Sequence, residues 1–230
     1  MSGFRLTRPI VAYCLPFALF MAALLLVSGA EWLGGKEGPF WLTKPQYWVY
    51  PLQTLLCLGA LIYFWRDYEW GNLRTWWFGA GVGAIVLGIW IAPQVLLGAP
   101  PRTDGFDPTV FAESPALYWS TVLMRFFRLV IVVPLLEEIF WRGFLMRYFV
   151  NEDFRRVPFG TVTFFSFTAI VILFSAVHSV EDFAGAIYCG IAFNLVAIYT
   201  RSLAACVIAH AVTNLGLGVY VMATRQWGFW

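Results

Sequence analysis

The constraint that dominates this chain is the recurrence of apolar runs of roughly twenty residues, the length that crosses a bilayer core as a helix. In hydrocarbon the backbone must satisfy its own hydrogen bonds, so such runs fold as helices rather than as open strands. They fall at 9–30, 47–65, 76–97, 116–150, 160–178, 183–199 and 203–222. Hydrophobic residues make up 60% and charged residues only 12% of the chain, about half the charged share of a soluble domain. The expected fold is therefore all-α: a polytopic membrane helical bundle of seven or eight transmembrane helices, with 1–230 forming a single integral membrane domain. The count turns on 116–150. One helix there would be ~50 Å long, too long for one span, and Pro134 is its natural kink or break. A bent helix gives seven spans, two helices give eight.

Several segments have structural readings. Pro9–Ala30 follows Arg5 and Arg8 and ends in Val27-Ser28-Gly29-Ala30, so it reads either as a signal peptide or, as we favour, as a retained first helix. Gly79 and Gly83 share one helix face and suit close packing against a neighbour. Cys14, Cys57, Cys189 and Cys206 lie in apolar segments with no CxxC spacing and read as small core residues. The net charge is +2 with no basic stripe, which leaves the lipid bilayer as a partner and no nucleic acid. With seven spans, one set of loops carries Arg5, Arg8, Arg66, Arg74, Arg147, Arg155, Arg156 and Arg201. The other set carries only Lys36, Lys44, Arg102 and Arg225. That asymmetry marks the first set as cytoplasmic. Eight spans would sacrifice the bias.

Against this apolar background stands Glu137-Glu138-Ile139-Phe140-Trp141-Arg142. Ionisable groups at membrane depth cost a few kcal/mol each or more, so they pair, face a wet cavity or do chemistry. Glu138 and Arg142 are i,i+4 with the glutamate N-terminal, the favoured order for a helical ion pair. Glu137 points about 100° away around the helix and is left to face a cavity, where a carboxylate can act as a general base for water. A buried Glu–Arg clip without catalysis is the competing reading. The chain's two histidines, His178 and His210, both lie in apolar segments, and His210 and Asn214 are i,i+4 on one helix face. Counting helical rise from the turns places all four groups in one broad layer. His210 and Asn214 both donate hydrogen bonds and could form an oxyanion hole, or serve only as glue between helices.

These three clusters, E-E-x-x-x-R at 137–142, F-x-x-x-H at Phe174–His178 and H-x-x-x-N at His210–Asn214, resemble the motifs of the CAAX prenyl protease and bacteriocin-processing (Abi) family of intramembrane glutamate-dependent peptidases. Trp141 stands where the family usually has Phe. The resemblance covers 116–222, the expected catalytic core, and in size the chain is also similar to a subgroup that accompanies bacterial exosortases. The resemblance implies hydrolysis of a peptide bond near the membrane surface, in a prenylated or otherwise membrane-anchored substrate. It implies catalytic roles for Glu137 and His178 on water and for His210 and Asn214 on the oxyanion, with Glu138 and Arg142 in support and no cofactor. The expected location is a bacterial inner (cytoplasmic) membrane. The family's CAAX proteases open toward the cytosol, whereas the seven-span reading puts the site nearer the outer face.

Other chemistries stay open at this stage. Two histidines and a carboxylate could form a three-ligand zinc site, although no H-E-x-x-H helix is present. A membrane chaperone, or a small transporter using the same groups as a proton relay, is the alternative to an enzyme. Arg125 and Arg128 read as snorkelling to an interface, or in a minority reading as meeting a substrate carboxylate.

Overall fold

A computed structural model describes residues 7–230; Arg5 lies outside them. The long helices are α1 (Arg8–Gly34), α2 (Gln46–Tyr63), α3 (Trp76–Leu96), α4 (Pro115–Tyr148), α5 (Phe164–Ala176), α6 (Phe183–Thr200) and α7 (Leu203–Thr224). No strand occurs among the described residues. Five of the helices, α1, α3, α4, α6 and α7, are long and apolar enough to cross a membrane, and the protein is an integral membrane helical bundle. Helix α2 is a continuous 18 residues but carries polar Gln46, Gln53 and Thr54, and α5 is short, with 13 residues.

The 116–150 region is one helix, which favours the seven-helix alternative. Pro134 does not break it because the helix changes register around it. Residues Arg128–Val132 form a π-helical turn, and the Val133 N–H donates to Arg128, five residues back. A wider turn relieves the clash of the proline ring with the preceding carbonyls. A second π-helical stretch, Ile139–Leu145, follows the glutamate pair at once. Such bulges recur at functional positions because they re-aim side chains without ending the helix.

Polar contacts tie the loops into two groups, one at each end of the bundle. At one end, Arg8 pairs with Asp67 at 3.0 Å and holds that carboxyl below its usual range through their hydrogen bond. Arg147 pairs with Glu69 at 2.8 Å and donates to the Val157 carbonyl, while the Ser202 hydroxyl donates to the carbonyls of Trp70 and Asn72. At the other end, Arg102 pairs with Asp182 at 2.6 Å and donates to the Gly228 carbonyl, and the Tyr47 hydroxyl donates to the Asp107 carbonyl. The 151–158 loop therefore shares an end with 66–72 and 200–202.

Between the ends the core is built on close helix approaches. Helices α3 and α7 pack along most of their length. A Cβ on Gly79 or Gly83 would collide with the carbonyls of Ala205 and Ala209, so only glycine allows this spacing. The Thr213 hydroxyl donates across the same seam to the Gly83 carbonyl at 2.9 Å. Cys57, Cys189 and Cys206 are buried, Cys14 is half-buried, and all four are free thiols.

The arginine-rich end carries Arg8, Arg66, Arg74, Arg147, Arg155, Arg156 and Arg201, the end that the positive-inside rule predicts to be cytoplasmic. Introduced cysteines report this orientation. In intact cells a membrane-impermeant maleimide is expected to label Thr103→Cys, whereas Asp153→Cys reacts only after permeabilisation; the reverse pattern would overturn the assignment.

Candidate active site

The centre of the bundle holds a fully buried ion pair. Arg142 Nη1 donates to Glu138 Oε1 at 3.0 Å, and neither side chain is exposed to solvent. The i,i+4 spacing brings them together within α4, and neighbouring helices complete the arginine's fork. Its Nε donates to Asn194 Oδ1 at 3.1 Å and its Nη2 to the Gly190 carbonyl at 3.3 Å, both on α6. Asn194 is itself fixed by donating to the Phe167 carbonyl on α5 at 3.2 Å. The guanidinium plane lies 4.9 Å from the centre of the Phe174 ring and 5.5 Å from that of Phe193. Ring faces attract the cation, so the charge is compensated on every side. Asn194 escaped the sequence reading, although an asparagine inside an apolar helix was the available signal.

Glu138 has a second partner. His210 Nδ1 lies 2.9 Å from the same Oε1. A carboxylate can only accept, so Nδ1 carries the proton and the other ring nitrogen, Nε2, is not used in this contact. His178 is arranged alike: Nδ1 donates at 2.7 Å to the Phe174 carbonyl, one of the last carbonyls of α5. Its unused nitrogen is again Nε2. The short α5 ends at Ala176, which leaves His178 in the turn just beyond the helix.

Glu137 stands apart from this network. It is buried, and its Oε2 has no hydrogen-bond partner. It lines a cavity of about 220 Å³ whose walls also include His178, His210 and Asn214. All four residues singled out in the sequence thus border one space, although they come from α4, the turn after α5, and α7. The rest of the lining is mainly apolar, with Phe17, Phe20, Trp90 and Phe174 among the wall residues. Asp182 and Trp230 carry the lining to the Arg102 end of the bundle.

Asn214 is held by a defect in α4. The Val133 N–H reaches past Leu129 to Arg128, and Pro134 has no N–H to give. The Leu129 carbonyl accepts instead from Asn214 Nδ2, across the interface with α7, at 2.8 Å. The proline expected to break the helix therefore exposes an acceptor that orients a cavity side chain. His210 and Asn214 are not equivalent donors as the sequence suggested, because the His210 Nδ1–H is committed to Glu138.

Among the described residues, no three His, Cys, Asp or Glu side chains gather closely enough to hold a metal ion.

Arg125 and Arg128 do not snorkel. Both are buried and stacked against Tyr50, and neither lines the cavity around Glu137, although Arg128 also lies over Phe20 of its wall.

No curated protein and no solved structure gives a match to this chain. Residues 118–216 match the family model described as Rce1-like, type II CAAX prenyl endopeptidase. That segment contains the glutamate pair, Arg142, both histidines and Asn214, the same side chains that meet at the cavity and its ion pair. Through this segment, a little under half of its length, the chain is similar to the type II CAAX prenyl endopeptidases.

Proposed function

We propose that the chain hydrolyses a peptide bond in a lipidated or membrane-anchored substrate, with Glu137 activating the attacking water. The observation that carries this reading is the Glu137 carboxylate, with an unpartnered buried oxygen, in an apolar cavity beside His178, His210 and Asn214. Glu137 takes a proton from water, the hydroxide adds to the scissile carbonyl, and the same proton passes to the departing amine. His178 Nε2 accepts a hydrogen bond from the water and orients it. The second amide N–H of Asn214, beyond the one given to Leu129, stabilises the oxyanion. His210, held by Glu138 through Nδ1, lines the same space and orients the substrate there. Apolar walls strengthen each of these interactions by excluding bulk solvent. Glu138 and Arg142 hold the scaffold and do not touch substrate.

The cavity runs toward the arginine-poor end of the bundle, so the scissile bond lies near that membrane surface. By the positive-inside rule this is the outer face.

Substitutions separate the two glutamates. With a membrane-anchored peptide library, Glu137→Gln should lower turnover by about 10²–10⁴-fold, the usual contribution of a general base, while the purified protein keeps its thermal stability. Glu138→Gln should instead lower the melting temperature, because removing one partner strands a buried guanidinium at a cost of about 3–5 kcal/mol. Wild-type turnover in Glu137→Gln would refute the assignment. If the wild type cleaves nothing in the library, the non-catalytic readings gain ground.

A chelator tests the water-activating agent separately. Turnover should survive dialysis against 1,10-phenanthroline; loss that zinc restores would transfer the role from Glu137 to a metal.

The proline defect makes its own prediction. Pro134→Ala supplies an N–H that competes for the Leu129 carbonyl and releases Asn214. We expect kcat to fall on the order of tenfold or more, as for a misoriented catalytic group, with KM little changed and stability unchanged or improved. An unaltered kcat would show that the Leu129 contact does not position Asn214 for the reaction.

A further inference from the structure

A second pocket, separate from the one around Glu137, lies between the N-terminal halves of α2 and α4 and the 98–114 loop. It has a volume of about 320 Å³ and is lined by Tyr47, Tyr50, Phe106, Ser120, Arg125 and Arg128 among others. The two arginines are i,i+3, on one face of α4, and are only 6% and 5% exposed. Among the described residues neither makes a salt bridge. Arg125 Nε and Nη1 are buried with no hydrogen-bond partner. Arg128 uses Nε on Gln53 Oε1 at 2.9 Å, and Gln53 is anchored by donating to the Phe20 carbonyl at 2.7 Å. Aromatic faces hold the guanidiniums in place. Arg125 lies 4.6 Å from the Phe106 ring centre and Arg128 lies 4.2 Å from that of Tyr50. The nearby Asp107 carboxylate accepts from the Thr109 N–H and is not turned to either arginine.

Arg128 lies within electrostatic reach of Glu137 but forms no ion pair with it, and Arg125 has no acidic partner among the described residues, so two like charges buried side by side favour a counterion. We propose that this pocket binds the phosphate of an anionic phospholipid. Guanidinium forks match phosphate oxygens in pairs, and basic pockets between transmembrane helices recognise lipid headgroups. The surroundings suit a lipid better than a free anion. Both helices begin at this end of the bundle, next to the Tyr47–Asp107 contact, so the pocket lies toward that end, where a headgroup phosphate can reach it. On the flanks of the pocket, Leu52 and Leu55 of α2 and Leu117 and Leu123 of α4 present exposed apolar surface along which acyl chains can lie. The two pockets share no lining residue, although Arg128 lies over Phe20 and within electrostatic reach of Glu137, so the binding test rests on Arg125 and Ser120.

The test uses the full chain, purified in detergent and stripped of lipid, with native mass spectrometry and thermal melting as readouts. Dioleoylphosphatidylglycerol should bind and raise the melting temperature more than dioleoylphosphatidylcholine, and dioleoylglycerol should do neither. Arg125→Gln should weaken phosphatidylglycerol binding about tenfold or more, the value of a charge-assisted hydrogen bond, and Arg125→Lys should retain part of it. Ser120→Trp, which covers the exposed mouth while leaving both arginines in place, should abolish binding without lowering the melting temperature of the lipid-free protein. Equal binding of dioleoylglycerol, or unchanged binding in both Arg125→Gln and Ser120→Trp, would overturn the proposal. Protection by sodium phosphate that phosphatidylglycerol does not compete away would replace the lipid with a small anion. Displacement of phosphatidylglycerol by a peptide with a free C-terminus, but not by its amide, would replace it with a peptide carboxylate.

Discussion

The buried Glu138–Arg142 pair is the contact on which the rest of the molecule is assembled. Placing either charge alone in the bundle would cost several kcal/mol, and the pair repays this only when its remaining hydrogen-bonding groups are met. Here Asn194 and the Gly190 carbonyl meet Arg142 from α6, His210 meets Glu138 Oε1 from α7, and Phe174 of α5 covers the guanidinium, with only Glu138 Oε2 left without a partner among the described residues. Three helices are therefore registered against α4 by one charge cluster. A slide of α6 or α7 by one turn would break a charge-assisted bond in a medium that offers no water to replace it, and a slide of α5 would take the Phe174 ring off the guanidinium. The same contacts deliver Phe174, and with it His178 four residues later, to the cavity wall.

This arrangement divides two chemically identical side chains by environment alone. Glu138 is consumed by structure, its Oε1 taken by both Arg142 and His210. Glu137, one residue earlier, looks away from that network into the cavity. The histidines are sorted in the same manner. Each spends Nδ1 on an oxygen of the scaffold, which leaves Nε2 of both outside these contacts. Fixing one ring nitrogen sets the role of the other, and here the fixing groups differ: a backbone carbonyl for His178 and a carboxylate for His210.

How much of this was legible in the sequence follows from the range of each interaction. The Glu138–Arg142 pair is a four-residue spacing and could be read directly. The meeting of Glu137, His178, His210 and Asn214 could be expected from their depth, because straight spans convert residue counts into distance. Cross-helix partners could not. Nothing in the spacing of His210 and Asn214 shows that one donates to Glu138 and the other to Leu129. Pro134 was read as a kink or break because proline usually interrupts the α-helical ladder, and the π-helical turn that absorbs it depends on tertiary packing. Arg125 and Arg128 were expected to reach outward, but Phe106 in the 98–114 loop folds over Arg125, and Tyr50 covers both.

The brevity of α5 has a consequence for the surrounding lipid. Thirteen residues of helix span about 20 Å, some 10 Å less than a typical hydrocarbon core. A bilayer meeting so short a wall must thin beside it, or let polar groups follow the helix end inward. The turn at that end contains His178 and continues to Asp182, both on the cavity lining. The deficit in hydrophobic thickness thus falls beside the cavity, so a mismatch of lengths would give the hydrolysis proposed there its solvent inlet.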